Sequence, residues 1–387
     1  MRVGIMTWFT YHNYGTALQV TALTSRVKAL GHEPSVINYK PDSRMKSIKR
    51  EGLFRFLAVR IVRRIAGLFR PRHRNYAPAE REEKFLSFLG ENISLTEKCD
   101  TMQELEDVAK NFDAVICGSD QIWSPLGLDA HYYLDFVHDR AKKAAYAPSI
   151  DTNHVRSEAV RQRVIALAGD IAYLSVREKA SAETLSLWLN RKVEAVLDPA
   201  LLLKASEWEK YTYTNLQILP TGGGGYCLVY MLTPNDSYYE ESRRIAGVLG
   251  LEVKVIPVFV EDLHREGCIT SPVGPAEFLA LFRDAAFVCT DSFHGMVFSI
   301  IFHVNFVEFE RFAHDDPINQ NFRIYNIAEL LSLESRIFSG RVPDETLRSA
   351  IDFREVDRKL DKLREDSLCW LKITLDTISS IHSDKEV

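Results

Sequence analysis

TDSFHGMVFSIIF, residues 290–302, places small and polar residues directly before a strongly apolar run. The residues before it, FRDAAFVC (282–289), have the pattern of a helix end followed by a short apolar strand. Residues 290–295 are therefore predicted to form the loop at the carboxyl end of that strand. Ligands bind at this end of the strands in open α/β sheets, so the polar side chains of this loop are candidates for a functional site.

The rest of the chain alternates between strand and helix patterns. RVGIM (2–6) is a short apolar strand, ALQVTALTSRVKALGH (17–32) has helical periodicity, and SVINY (35–39) is a second strand. Further along, FDAVICGSDQIW (112–123) is a strand that runs into a polar loop. This βαβ order predicts a mostly parallel sheet with helices on its faces.

The alternation breaks once and then resumes. Residues 208–225 have few periodic apolar positions, and a new strand begins with YCLVYML (226–232). Because 387 residues exceed the size of a typical single core, we predict an α/β fold with two Rossmann-like domains, 1–207 and 222–345, and a helical segment at 346–387. The glycines at 222–225 precede a strand rather than a helix, so a flexible connector is favoured over a phosphate loop.

Composition excludes some partners and locations. The net charge of −5 and the pI near 6.2 show no basic excess, so no nucleic-acid partner is expected. The start of the chain, MRVGIMTWF, lacks the pattern of a signal peptide, and no apolar run reaches the length of a membrane span, so a cytoplasmic location is expected. The six cysteines are scattered without CxxC spacing, which favours buried free thiols.

No metal or nicotinamide site is predicted. The histidines His131, His138, His303 and His314 show no HExxH pattern, the chain contains no DxD triplet, and GxGxxG is absent. A metal-independent mechanism without a bound cofactor is therefore expected.

Five motifs occur in an order that resembles the polysaccharide pyruvyl transferase family. They are NYGTALQ (13–19), FDAVICGSDQIW (112–123), SVREKASAETL (175–185), VLDPALLL (196–203) and TDSFHGMVFSIIF (290–302). The resemblance implies a GT-B-like architecture with a cleft between an N-terminal acceptor domain and a C-terminal donor domain. It also implies transfer of pyruvate from phosphoenolpyruvate to a sugar of a bacterial cell-surface polysaccharide, exopolysaccharide or lipid-linked precursor, as a cyclic ketal. The alternative for the same shape is a glycosyltransferase that uses a nucleotide sugar.

Ketal formation from phosphoenolpyruvate needs an acid, a base and contacts to anions. His294 is the candidate acid, because imidazole titrates near neutral pH. Gly295 allows a ligand to approach the backbone closely. Gly295 and Ser292 are assigned to the donor side, where free N–H groups at the start of a helix can bind an anion. The alternative is a capping loop, in which Asp291 or Ser292 caps a helix and His294 is hydrogen-bonded in the core.

Two arginines are candidates for donor binding. Arg177 follows a strand, and a guanidinium can bind a carboxylate or phosphate through two parallel hydrogen bonds. The alternative for Arg177 is a salt bridge with Glu178. Of Arg311 and Arg323, the resemblance favours Arg323 as a further anion contact.

The acceptor side is assigned to residues that follow the first strand and the strand at 112–117. Asp120 is expected to orient or deprotonate an acceptor hydroxyl, and Trp123 to stack on a sugar face. The alternatives are a helix cap at Ser119 and Asp120 and a Trp123 that packs under the loop. Asn13, Tyr14 and Gly15 precede the first helix and complete the acceptor set by resemblance.

Residues 43–74 carry eleven Lys or Arg and one acidic residue, Glu51, although the chain as a whole is acidic. On a helical wheel, apolar side chains share one face and arginines the other. Such a basic amphipathic helix can lie on an anionic membrane, where a lipid-linked acceptor would be met. The alternative is a helix that packs on the core with a solvated basic side.

Overall fold

A computed structural model of the chain describes residues 1–9, 13–40, 73–155, 157–212, 225–316 and 318–383. The basic amphipathic segment predicted at 43–74 lies outside the described residues, apart from His73 and Arg74.

The N-terminal half contains a parallel sheet of seven strands in the order β3-β2-β1-β4-β5-β6-β7. The strands are β1 Arg2–Met6, β2 Glu33–Tyr39, β3 Leu95–Cys99, β4 Ala114–Cys117, β5 Lys143–Ala145, β6 Tyr173–Val176 and β7 Glu194–Ala195. The helices are α1 Tyr14–Ala29, α2 Ala79–Asn92, α3 Met102–Ala109, α4 Glu158–Gly169, α5 Lys179–Leu189 and α6 Ala205–Trp208.

The C-terminal half contains a parallel sheet of five strands in the order β12-β11-β10-β8-β9. The strands are β8 Tyr226–Tyr230, β9 Glu252–Val255, β10 Phe287–Thr290, β11 Asn305–Phe309 and β12 Ile337–Phe338. The helices are α7 Asp236–Leu249, α8 Pro275–Arg283, α9 Phe293–Ile301, α10 Phe322–Leu331, α11 Asp344–Arg348 and α12 Phe353–Ser383. The prediction of an α/β fold with two Rossmann-like parallel sheets is confirmed.

The long helix α12 returns to the N-terminal half of the chain. Ser367 Oγ accepts a hydrogen bond from Leu197 N at 3.0 Å, and Arg364 Nε donates to Leu201 O at 2.8 Å. Backbone groups of the N-terminal half thus find partners on the last helix, which links the two ends of the chain.

Strand order reverses once in each sheet, between β1 and β4 and between β8 and β10. Chain connections diverge at such a point, which leaves a crevice outside the carboxyl ends of the strands. The helices that follow β1 and β10 are α1 and α9, and their N-termini approach each other at these ends of the two sheets. Residues far apart in sequence therefore meet there.

Tyr14, at the start of α1, belongs to the contact between the two halves. Its ring stacks on Phe278 of α8 with ring centroids 4.3 Å apart, and its hydroxyl donates to Val273 O at 2.9 Å. Burial raises the pKa of Tyr14 to about 12, while Arg81 opposes that rise. The expectation that Tyr14 binds an acceptor does not fit this geometry, because the side chain is enclosed between the domains.

Gly15 is the point at which α1 meets the ring of His294. A β-carbon on Gly15 would lie 2.0 Å from His294 Nδ1. Gly15 therefore has a packing role, because any side chain at this position would occupy the space of the imidazole. Its acceptor role stays a prediction.

Gly15→Ala should displace the His294 ring and lower the free energy of unfolding by about 1–3 kcal/mol, the usual cost of overpacking. The matched control is Gly90→Ala on α2, where a β-carbon meets nothing within 4 Å and a gain of about 0.5–1 kcal/mol is expected from helix propensity. Urea denaturation measures both variants. Equal gains in stability for the two would show that the close approach of Gly15 and His294 is absent in solution.

Candidate active site

The residues of the candidate site lie at the carboxyl ends of strands in both sheets. Asp120 follows β4, Glu178 and Arg177 follow β6, and Asp198 follows β7, whereas His294 and Arg323 lie in the first turns of α9 and α10. Parallel strands bring their carboxyl ends to one edge, and the two edges face each other here. The structure thus brings together the predicted residues His294, Asp120, Arg177 and Arg323.

Arg177 forms two buried ion pairs. Its Nη1 lies 2.8 Å from Asp198 Oδ2, and its Nε lies 3.0 Å from Glu178 Oε1. Burial lowers the pKa of Arg177, but the carboxylates of Glu178 and Asp198 more than reverse this effect. The pairing with Glu178 that the sequence left open is thus observed. A two-pronged clamp on an anion does not fit, because only Nη2 lacks a hydrogen-bond partner among the described residues.

Asp198 is the site residue that sequence analysis missed. Besides Arg177, its Oδ2 accepts a hydrogen bond from Ser119 Oγ at 3.2 Å, and its Oδ1 lies 3.7 Å from His294 Nε2. Burial would raise the pKa of Asp198, but His294 and Arg177 together hold it below its usual range. One sequence feature could have identified Asp198 as a site residue. It follows a strand in VLDPALLL, one of the five motifs.

His294 occupies the boundary between the domains. Its ring lies against Gly15 on the Nδ1 side, and Nε2 faces Asp198 at a distance beyond hydrogen bonding. Nε2 has no hydrogen-bond partner in the described parts of the chain, although it is buried. The alternative of a histidine that is satisfied in the core is therefore not observed.

Ser292 and Gly295 have local roles in the structure. Ser292 is the N-cap of α9, and its Oγ accepts a hydrogen bond from Gly295 N at 3.3 Å. A β-carbon on Gly295 would lie 2.3 Å from Thr290 Oγ1, so the missing side chain makes room for β10. The helix cap that the sequence left open as an alternative is thus observed at Ser292. The donor contacts expected of Ser292 and Gly295 stay predictions.

Asp120 and Asn13 are both fixed against the start of α1. Asp120 Oδ2 accepts a hydrogen bond from Thr16 Oγ1 at 3.1 Å, and its Oδ1 accepts from Gln121 N at 2.9 Å. Asn13 is the N-cap of α1, and its side chain accepts from Thr16 N. These hydrogen bonds engage side-chain oxygens of Asp120 and Asn13, two residues that the sequence analysis assigned to binding of the acceptor sugar.

The side chain of Trp123 lies in the core and not on the surface of the loop. Its indole is fully buried, stacks on Tyr133 with ring centroids 4.3 Å apart, and donates through Nε1 to Tyr132 O at 2.8 Å. The expectation that Trp123 stacks on a sugar is wrong, because both faces and the N–H group are enclosed by protein.

Arg323 is the cation of the site that lacks a carboxylate partner. Its Nε and Nη2 make long hydrogen bonds to Gln320, at 3.4 and 3.3 Å, and no carboxylate of the described residues forms a salt bridge with it. Burial, together with the charge of Arg177, lowers the pKa of Arg323 to about 10. The ring of Phe293 lies near both guanidinium groups, 4.4 Å from that of Arg177 and 6.0 Å from that of Arg323. Arg323 is thus well placed to meet an anion.

Two carboxyl groups lie behind this region in the C-terminal domain. Asp291 Oδ1 accepts a hydrogen bond from Leu232 N at 2.5 Å, while neither oxygen of the fully buried Glu308 has a hydrogen-bond partner in the described chain. Burial raises the pKa of Asp291, and it raises that of Glu308 well above its usual value, with a further rise from Asp291. The interior of the folded protein therefore favours the protonated form of Glu308.

A small crevice, with room for about one water molecule, lies between the two domains beside Asp120, Glu178 and Arg323. We call it the interdomain crevice, and its lining residues are Gln121, Ser124, Pro125, Ser149, Asp151, His154, Gln320 and Phe322. The N-terminal domain supplies most of the wall, and the segment before α10 supplies the remainder. No group of three or more potential ligands for a metal ion occurs within the described ranges. No helix of the described chain is long and apolar enough to cross a membrane.

Two Rossmann-like domains that face each other across a cleft are the arrangement of the GT-B fold. Solved structures with this arrangement align with nearly the whole chain. UDP-GlcNAc 2-epimerase from Neisseria meningitidis bound to UDP-GlcNAc aligns with a TM-score of 0.55 at 10% identity, over 98% of this chain and 100% of that chain. The S. aureus MnaA–UDP structure aligns with a TM-score of 0.54 at 12% identity, over 98% of each chain. These likenesses establish the fold.

The sequence profile of the family described as Polysaccharide pyruvyl transferase matches residues 13–310. The chain therefore belongs to the polysaccharide pyruvyl transferase family, which is a family of transferases. The matched range includes Asp120, Arg177, Asp198 and His294, and Arg323 lies beyond its end. A comparison with the sequences of curated proteins gives no match.

Glu308→Gln should change how stability depends on pH. Burial raises the pKa of Glu308 above its value in the unfolded chain, so this group lowers the free energy of unfolding as pH rises above ~4.3, by at most about 1.4 kcal/mol per pH unit. The Gln variant has no carboxyl group at this position, so its free energy of unfolding does not fall for this reason. Its stability relative to wild type should therefore increase from pH 5 to pH 8. Urea denaturation at several pH values measures the difference.

The control for this experiment is Glu240→Gln, which changes an exposed carboxylate on α7. Its stability difference from wild type should stay constant over the same pH range. A constant difference for Glu308→Gln as well would mean that Glu308 is ionised in the folded protein.

Proposed function

We propose that this enzyme transfers the pyruvyl group of phosphoenolpyruvate to a sugar of a bacterial cell-surface polysaccharide or exopolysaccharide, or of its lipid-linked precursor. The product is a cyclic ketal, and phosphate is released. The observation that carries this proposal is the meeting of His294, Asp198 and the unneutralised Arg323 at the edges of the two sheets, in a chain of this family.

His294 is the proposed acid. In the reaction, the methylene carbon of phosphoenolpyruvate takes a proton, C2 becomes electrophilic, and a sugar hydroxyl attacks it. The buried imidazole has an Nε2 without a hydrogen-bond partner among the described residues, and the charged Asp198 can form an ion pair with the protonated ring. Transfer of a proton to carbon needs such a positioned acid near neutral pH.

Arg323 is the proposed contact for the negatively charged donor. A guanidinium without a carboxylate partner, in a partly buried place, attracts a phosphate or carboxylate more strongly than one that is already paired. Arg177, in contrast, is engaged by Glu178 and Asp198, so its proposed role is to hold those carboxylates in position. No metal ion and no bound cofactor take part in this proposal.

The test is an assay of phosphate release by the purified full chain. Phosphoenolpyruvate is supplied with a panel of methyl glycopyranosides that offer free 4,6- or 3,4-hydroxyl pairs, and mass spectrometry follows the ketal. His294→Gln should lower the rate ~10²- to 10⁴-fold, the usual contribution of a general acid. His138→Gln, an exposed histidine on the N-terminal domain, is the control and should keep the wild-type rate.

A nucleotide-sugar glycosyltransferase is the competing function. The fold is shared with structures that contain UDP-GlcNAc or UDP, although at low sequence identity. Saturable binding of UDP-GlcNAc, together with no phosphate release from phosphoenolpyruvate with any glycoside of the panel, would favour this alternative over pyruvyl transfer.

We also propose that the basic segment 43–74 holds the enzyme at the inner face of the cytoplasmic membrane, where lipid-linked acceptors are met. The proposal rests on the sequence of that segment, in which each basic residue near an anionic surface contributes about 1 kcal/mol. Vesicles of phosphatidylglycerol should sediment the protein at low salt and release it at high salt. Two controls are included. The wild-type protein should not bind phosphatidylcholine vesicles, and the Arg60→Glu, Arg63→Glu, Arg64→Glu triple variant should not bind phosphatidylglycerol vesicles. Wild-type protein that stays in the supernatant at low salt would rule out a membrane role.

A further inference from the structure

Phe293 is the aromatic residue beside the charged side chains of the candidate site. It is the first residue of α9, directly before His294, and its side chain is buried. The centroid of its ring lies 4.4 Å from the guanidinium carbon of Arg177 and 6.0 Å from that of Arg323. Its ring also meets the ring of His294 at 85°, with centroids 5.0 Å apart. One aromatic ring therefore borders three side chains that carry, or can carry, positive charge.

The position of Arg323 is electrostatically unfavourable for a cation. Burial removes water from its guanidinium, and the positive charges of Arg177 and Arg311 add to burial in lowering its pKa. The charges of Asp120 and Glu178 oppose this effect, but neither forms a salt bridge with Arg323 within the described ranges. The side chain of an arginine is long, and it commonly extends so that its charge reaches water. The guanidinium of Arg323 therefore needs a stabilising contact to stay at the site.

The hydrogen bonds of Arg323 are too long to supply that contact alone. Its Nε lies 3.4 Å from Gln320 O, and its Nη2 lies 3.3 Å from Gln320 Oε1, both beyond the usual length of a hydrogen bond. Gln320 precedes Arg323 by three residues, so it does not tie Arg323 to another part of the fold. Phe293, in contrast, belongs to a different helix and is held in the hydrophobic core.

The ring of Phe293 can provide the missing stabilisation. The face of an aromatic ring carries negative charge density and attracts a cation within about 6 Å of the centroid, most strongly where water is excluded. Arg177 packs well within this range, and Arg323 lies at its outer limit. Arg177 cannot move away when Arg323 approaches, because two ion pairs hold it. The attraction of one ring for both guanidinium groups thus offsets part of the repulsion between them.

We propose that Phe293 is a positioning residue that holds the unpaired guanidinium of Arg323 at the site, where it meets the anionic donor. An aliphatic side chain of similar volume would fill the same space without attracting a cation. A phosphate or carboxylate of the donor then takes the place of the missing carboxylate partner of Arg323. This inference rests on the proposed pyruvyl transfer, and it assigns to donor binding a residue that acts through Arg323.

The experiment changes the charge distribution of the ring while it keeps the shape nearly constant. An amber codon at position 293 introduces 4-fluoro-, 3,5-difluoro- or 3,4,5-trifluorophenylalanine, because fluorine withdraws negative charge density from the face of the ring. In the phosphate-release assay, the KM for phosphoenolpyruvate should rise with each added fluorine. Three fluorines should raise it ~2- to 30-fold, the change that corresponds to loss of a cation–π contact. The fall in kcat should be smaller than the rise in KM.

Two further sets of variants separate the role of the ring from packing. Phe293→Leu keeps an apolar side chain in the core without an aromatic face, so it should raise the KM for phosphoenolpyruvate as the trifluorinated ring does. The matched control is Phe302, directly after the last turn of α9, whose ring stacks on Phe298 with centroids 6.3 Å apart. The fluorinated residues in place of Phe302 should leave the KM at the wild-type value. The thermal stability of both fluorinated series should match that of wild type.

Binding without turnover separates this inference from the proposed function. Calorimetric titration with phosphoenolpyruvate, in the absence of any glycoside, should give a Kd that rises with the number of fluorines at position 293. If this rise is observed but the wild type releases no phosphate with any glycoside, the positioning role stands and pyruvyl transfer fails.

Three results would overturn the positioning role. A KM and a Kd that stay constant across the fluorinated series at position 293 would do so and leave pyruvyl transfer standing. Equal rises for positions 293 and 302 would do the same, since they would reflect a general effect of fluorine on packing. A wild-type enzyme that neither binds phosphoenolpyruvate nor releases phosphate would refute both the positioning role and the proposed function.

Discussion

The ion pair between Arg177 and Asp198 is the interaction on which the site depends. Both side chains are buried, so neither charge is stabilised by water, and removing one partner from such a pair costs about 3–5 kcal/mol. Asp198 also faces His294 from the other domain. One carboxylate therefore neutralises the arginine of the N-terminal domain and lies within ion-pair distance of the histidine of the C-terminal domain.

This pairing decides which cation is available to a ligand. Arg177 forms ion pairs with Glu178 and Asp198, whereas the hydrogen bonds of Arg323 within the described part of the chain are long ones to Gln320. Repulsion from Arg177 is one cause of the lowered pKa of Arg323, after burial. A bound anion would relieve that repulsion, so the same arrangement that leaves Arg323 unpaired also favours its occupation.

Much of the site could be predicted from the sequence, since each polar loop follows an apolar strand. Asp120, Arg177 and His294 were found in this way, and Asp198 followed a strand in the same manner but was not singled out. The ligand contacts expected of Trp123 and Tyr14 do not fit the structure for one reason. Both residues lie close to site residues along the chain, but their side chains are buried and stack on Tyr133 and Phe278.

The sequence by itself determined the order of strands and helices, and with it the residues that lie at the carboxyl ends of the strands, because hydrophobic periodicity is a local property of the chain. Only the tertiary structure decided that Gly15 makes room for His294, that Asp198 faces the same ring, and that His154 shares a crevice with Gln320. These contacts join residues more than ninety positions apart. They depend on how the two sheets and their helices pack against each other, and side-chain volume and charge on both surfaces fix that arrangement together.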